Sequence, residues 1–152
     1  MTATLADYVA QQDARNTIQL NVTKWTLMLC DALRQNYIDY SIRCHERSIG
    51  NDVSVDHHQK EIDKLKNGEC NYDFVIESGR KYHKIIMVID NGADRSPSRS
   101  VHAFVDKKTG EVYKSATWKS PAKGVRYDLR IIEQREWLLQ NADWASSYLY
   151  AR

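Results

Sequence analysis

Three cysteines, two prolines and two phenylalanines in 152 residues leave several architectures without the means to form. Cys30, Cys44 and Cys70 are odd in number and show no CxxC spacing. The chain therefore reads as one with reduced intracellular thiols, outside the disulfide-framework class and without a zinc-ligand pattern. Two Pro and six Gly are too few for a long disordered linker. The longest unbroken apolar run, residues 85–89, falls far short of the ~20 residues a membrane-spanning helix needs. The opening stretch MTATLADYVAQQDARN has no basic region and no long apolar core, so neither a signal peptide nor a membrane anchor is expected. Repeats and low-complexity tracts are missing. So are GxxxxGKS/T, a GxGxxG after a strand, GxSxG and HExxH, and with them the sequence signatures of phosphate-cradling loops, serine-hydrolase elbows and zincin helices.

What is present suits one globular domain. The apolar and charged fractions, 42% and 28%, are ordinary, and a chain of this length buries roughly two-thirds of its unfolded surface. Nine Tyr and four Trp outnumber the two Phe, and both carry polar handles that suit half-buried positions and binding faces. The formal net charge of +2 conceals a polarised molecule. Between residues 95 and 126 stand eight bases, Arg95, Arg99, Lys107, Lys108, Lys114, Lys119, Lys123 and Arg126, against only Asp106 and Glu111; the rest of the chain is net acidic.

The periodicity predicts an α+β fold: N-terminal helices, a four-stranded antiparallel meander and a C-terminal helix. A short helix is expected over 4–14 and a longer one over 17–47. In the second, Ile18, Val22, Trp25, Leu29, Leu33 and Tyr40 form one stripe, while Leu20 and Leu27 widen it or face a second partner. Gly50 is the natural terminator. Ser54 reads as the N-cap of a further helix that Asn67-Gly68 closes. Strands follow at 72–77, 82–89, 100–106 and 111–115, then an irregular stretch 118–127 and a helix over 129–141 capped by Asp128. One domain, 1–152, thus comprises a helical region 1–68, a sheet 72–115, a basic loop 116–127 and a C-terminal helix 128–150. Helices on one side of a small sheet leave its other face open for function.

The candidate site is a nucleic-acid-binding set: Arg99, His102, Lys114, Trp118, Lys119, Lys123, Arg126 and Tyr127. Lys and Arg neutralise phosphates and release counterions; aromatic planes stack on unpaired bases while cations track the backbone. Tyr113 and Lys114 alternate and so face opposite sides of their strand. The alternative reading makes Trp118 and Tyr127 core anchors and the lysines a solvated rim. Strand alternation puts His102 on one face with Ser100 and Phe104, where it is either a base or phosphate ligand, or a half-buried histidine held by a neighbour. The loop ADRSPSRS, 93–100, is either a phosphate cradle or a mobile surface loop. Adjacent His57 and His58 point about 100° apart on a helix and cannot chelate one ion together. No catalytic residue, metal or cofactor is expected.

The run SVHAFVDKKTGEVYK, the WKSPAK that follows and the closing DWASSYLY resemble a group of small uncharacterised proteins of tailed phages, marine ones especially. The resemblance covers the chain from about Tyr82 onward. It implies a viral origin and a place in the host cytoplasm or the virion, and supplies no catalytic residue. Three functions are compatible with these readings. One is a small phage accessory protein that binds nucleic acid through the basic, aromatic face. Another is a virion or assembly component whose helix 17–47 meets a viral or host protein or a second copy. The third is a nucleotide-binding anti-defence protein with a pocket near His102.

Overall fold

The structure, a computed structural model, describes residues 4–150. It opens with one helix, α1 (Leu5–Gly50), of 46 residues, about 69 Å long at 1.5 Å per residue. The two helices expected here are therefore one. Neither Pro nor Gly stands between them, and Thr17 Oγ1 donates to the Asp13 carbonyl within the helix (2.9 Å). The apolar period lapses where α1 loses its neighbours, not where the backbone turns. A capping box closes the first turn: Thr4 Oγ1 accepts the Asp7 N–H and the Asp7 carboxylate accepts the Thr4 N–H, each at 3.1 Å. The helix ends at Gly50 as expected, although left-handed Asp52 and Ser54 redirect the chain.

Helix α2 (Val55–Lys66) folds back on α1. Ser54 precedes it but its side chain caps nothing. The other end matches expectation. The Gly68 N–H reaches the Leu65 carbonyl (3.0 Å) and the Glu69 N–H reaches the Lys64 carbonyl (2.9 Å), a Schellman closure that needs the positive φ of Gly68 (83°).

The meander has five strands rather than four: β1 (Tyr72–Ser78), β2 (Tyr82–Ile89), β3 (Ser98–Asp106), β4 (Glu111–Lys114) and β5 (Tyr127–Asp128), hydrogen-bonded in chain order and antiparallel throughout. The fifth is two residues long and carries no alternation to read. Helix α3 (Ile132–Asn141) starts later than expected because Asp128 does not cap it. Its N–H is taken by Gln134 Oε1 (2.7 Å), and its carboxylate accepts the Arg130 N–H (2.9 Å). A 3-10 turn, Ser147–Leu149, closes the described chain. Among the described residues no helix is long and apolar enough to cross a membrane.

The core lies on one face of the sheet. Val22, Leu29, Cys30 and Leu33 of α1 meet Phe74, Ile85, Ala103, Val105 and Val112, and Leu129, Leu138, Tyr148 and Leu149 close the far side. Burial holds the Cys30 thiol up at about 12, so it is a packing group. Gly110, at the turn between β3 and β4, has φ 74°, and a Cβ there would meet Val22 and Arg130 at 3.4 and 3.3 Å. The turn can approach α1 only because it ends in glycine.

Leu33 is fully buried under this sheet. Leu33→Ala is expected to lower the unfolding free energy by about 2–5 kcal/mol, read from a urea midpoint. Ile132→Ala, at an exposed position in α3, is expected to stay within about 0.5 kcal/mol.

Candidate nucleic-acid interface

The register sorts the strand side chains onto two faces. Tyr72, Phe74, Ile76 and Ser78 of β1 pair with Ile89, Met87, Ile85 and His83 of β2, and these face α1. The alternate residues face away from the helices: Glu77 pairs with Lys84, Lys84 with Phe104, and Phe104 with Tyr113, a row running across four strands. On this second face Phe104 is buried. Its ring meets Tyr82 edge-on at 5.6 Å and lies 5.7 Å from the Lys84 ammonium.

Trp118 lies over this face from the loop after β4. The loop is closed by its own hydrogen bonds. Ala116 and Thr117 N–H groups donate to the Ser120 carbonyl (3.0 and 3.1 Å), and Thr117 Oγ1 accepts from the Lys119 and Ser120 N–H groups (3.3 and 3.1 Å). A bridge between Ser115 and Pro121 fixes its stem. The indole is 42% exposed, 5.0 Å from the Lys84 ammonium and 5.7 Å from the Arg99 guanidinium. Beside it runs a groove of about 210 Å³ lined by Glu77, Arg80, Lys81, Tyr82, Lys84, Lys119 and their neighbours. Five cations and the rings of Tyr82 and Trp118 thus share one surface. Glu77 lies among them and pairs with Arg99 at 2.7 Å, and the same face carries Asp106, opposite Tyr82, and Glu111, which accepts the Tyr113 hydroxyl (3.1 Å). The arrangement attracts anions and offers an exposed aromatic plane.

The eight residues proposed from sequence do not form one site. Arg99, Trp118 and Lys119 stand together on the open face. Lys123 is exposed in the loop that follows. Lys114 takes the opposite side of its strand from Tyr113, as alternation requires, and its ammonium sits 4.0 Å above the Tyr150 ring. Arg126 Nε donates to the Leu149 carbonyl (2.8 Å). These two cations brace the C-terminal segment. Tyr127 is a core residue: its hydroxyl donates to the Tyr148 carbonyl (2.8 Å) and its ring stacks on Trp137.

His102 is displaced from its expected face by a β-bulge. The register shifts between Ile85 and Ile86, which pair with Ala103 and Val101, so His102 has no partner on β2. The extra residue reverses its direction. Phe104 stays on the open face, while His102 turns inward against Phe74 and hydrogen-bonds through Nε2 to the Tyr148 hydroxyl (2.8 Å). At 7% exposure, burial pushes its pKa down to about 4, and the imidazole is neutral at physiological pH.

A second histidine is held between two hydroxyls. His83 Nδ1 lies 2.7 Å from Ser78 Oγ and Nε2 lies 3.0 Å from Thr23 Oγ1. Both ring nitrogens are engaged, and burial, then Lys107, disfavours protonation. The imidazole ties the β1–β2 turn to α1. His45 and His58 approach through their Nδ1 atoms (2.7 Å), but among the described residues no three His, Cys, Asp or Glu are placed to hold a metal ion.

Sequence reasoning missed Arg80, Lys81 and Lys84, which lie outside the contiguous basic stretch. The available signal was Lys84 itself, a lysine between His83 and Ile85 in a strand otherwise nearly all apolar. Alternation places it opposite the core.

The folded-state pKa of His102 lies below the ordinary value of 6.5. The unfolded chain therefore takes up a proton first as pH falls. Stability is fully present above about pH 6.5 and is lost as pH drops toward 4, by about 3 kcal/mol from this group. Urea midpoints measured from pH 7 to 4 are expected to show this slope, and His102→Gln to flatten it.

The family model described as Family of unknown function (DUF7717) matches residues 5–151, and the chain belongs to that family. No curated protein and no solved structure matches it.

Proposed function

We propose that this member of the family binds single-stranded nucleic acid on the open face of its sheet. The observation that carries the reading is Trp118: an exposed indole on a hydrogen-bonded loop, flanked by Lys84 and Arg99 and bordering a groove that holds Arg80, Lys81 and Lys119. An unpaired base stacks on the indole plane while its phosphates meet the surrounding cations. Such stacking contributes about 1–3 kcal/mol per base and tolerates any base. The cation set makes affinity fall with salt. A duplex hides its base faces, so the single strand is the preferred form.

The resemblance of the second half of the chain to tailed-phage proteins supports a phage accessory role, acting in the host cytoplasm or the virion. A role in virion assembly draws its support from a different feature, the exposed apolar residues of α1.

Fluorescence anisotropy with a labelled single-stranded oligonucleotide at two salt concentrations tests the reading. Binding is expected to weaken steeply with salt and to quench Trp fluorescence. Trp118→Ala is expected to weaken binding roughly 5- to 150-fold, the equivalent of about 1–3 kcal/mol. Lys84→Ala with Lys119→Ala is expected to lower both the affinity and the salt slope. Wild-type protein that fails to bind at low salt would sink the proposal, as would unchanged affinity in Trp118→Ala.

A further inference from the structure

Helix α1 is longer than the body it packs on. Of residues 4–18, only Gln12 is even half-buried, and Arg15 and Ile18 already border the β3–β4 turn at Lys108, so about three turns stand clear of the sheet and of α2. A free helix of this length is marginal in water, yet its start is a complete capping box. Leu5, Tyr8 and Val9 are exposed along it.

A second observation says what covers this arm. Leu20, Leu27, Arg34, Ile38 and His45 succeed one another at steps of seven, seven, four and seven, so they lie in one lane along α1. The C-terminal half of that lane is filled. Ile38 is buried, His45 meets His58 of α2, and the Arg34 guanidinium donates to the Gly68 carbonyl just beyond α2 (2.7 Å). The N-terminal half is vacant, with Leu20 71% and Leu27 51% exposed. Val9 and Asn16 continue the same lane toward the N-terminus, again at steps of seven and four.

We propose that the protein forms a two-fold dimer in which the N-terminal arm of each copy lies antiparallel along the vacant lane of the other, continuing the strip that α2 begins. The lane is self-complementary about a two-fold axis near Ile18. Val9 of one copy comes against Leu27 of the other, and Asn16 against Leu20. Asp13, seven residues before Leu20 and so in the lane itself, meets Lys24 of the opposite copy, twice by symmetry, which joins unlike charges. The arm that has nothing to pack on thus fits the lane that has nothing on it. Each copy both lends and receives one, as an isologous interface requires. The open face of the sheet takes no part, so the dimer stands independently of nucleic-acid binding.

Light scattering of the full chain after size exclusion tests this. The expected mass is twice the 17.7 kDa of one chain, and Leu20→Glu with Leu27→Glu is expected to halve it. Both leucines are exposed, so the core stays intact, which far-UV and near-UV circular dichroism check. Val9→Cys combined with Leu27→Cys gives an independent readout. The two sites are about 27 Å apart along one helix, beyond disulfide reach, so an oxidised dimer on a non-reducing gel reports contact between copies. Each single substitution serves as a control for the three natural cysteines. A monomeric wild-type chain overturns the proposal. A dimer that survives the double glutamate substitution, or one that does not cross-link, overturns the antiparallel arm arrangement.

Discussion

Everything in this molecule depends on one apolar contact: the stripe Val22, Leu29 and Leu33 of α1 laid across Ile85, Ala103, Val105 and Val112 of the sheet. The helix has a single stripe that meets the sheet, and the sheet presents a single face to it. α2, α3 and the C-terminal turn add to the same side or its margins. The consequence is asymmetry. One face of the meander is consumed by packing, the other carries no helix, and the first turns of α1 extend past the strands that would have buried them. Both functional readings arise from these leftovers of a one-sided core.

The uncovered face is not left bare. Phe104 and Ile86 are buried on it, beneath a layer of long cationic and aromatic side chains. Lys84 reaches over the rings of Phe104 and Trp118, and Arg99 over that of Trp118. A face built this way holds its cations and its indole close together. The ion pair between Arg99 and Glu77 holds the guanidinium near the indole in the same manner.

Much of this was legible in the sequence because period encodes burial. The apolar run of β2, the Asn67-Gly68 stop and the middle of the α1 stripe, Val22, Leu29 and Leu33, each reflect a local rule that tertiary structure respected, whereas Ile18 and Tyr40 at the ends of that stripe are exposed. The failures have equally physical causes. A bulge is one extra residue, invisible to an alternation count, and it parted His102 from Phe104 and turned it inward, to the hydrogen bond with Tyr148 that fits the reading of a histidine held by a neighbour. Proximity in sequence also stood in for proximity in space. Lys114, Arg126 and Tyr127 belong to the same basic, aromatic stretch as Trp118, yet strand alternation and β5 carry them to the C-terminal segment. Arg80, Lys81 and Lys84, far upstream, join Trp118 because β2 neighbours β3. The continuity of α1 was hidden because helical propensity without burial leaves no apolar period.

The central claim is that function resides on the face the helices leave uncovered. Titrating a short single-stranded oligonucleotide into isotope-labelled protein and following backbone amide and indole NMR shifts addresses it residue by residue. The account predicts that shifts concentrate at Lys84, Arg99, Trp118 and Lys119, with the Trp118 indole N–H among the largest, while α1 and the segment around Lys114, Arg126 and Tyr150 stay still. Shifts centred on that C-terminal segment or on α1, with Trp118 unmoved, would contradict it.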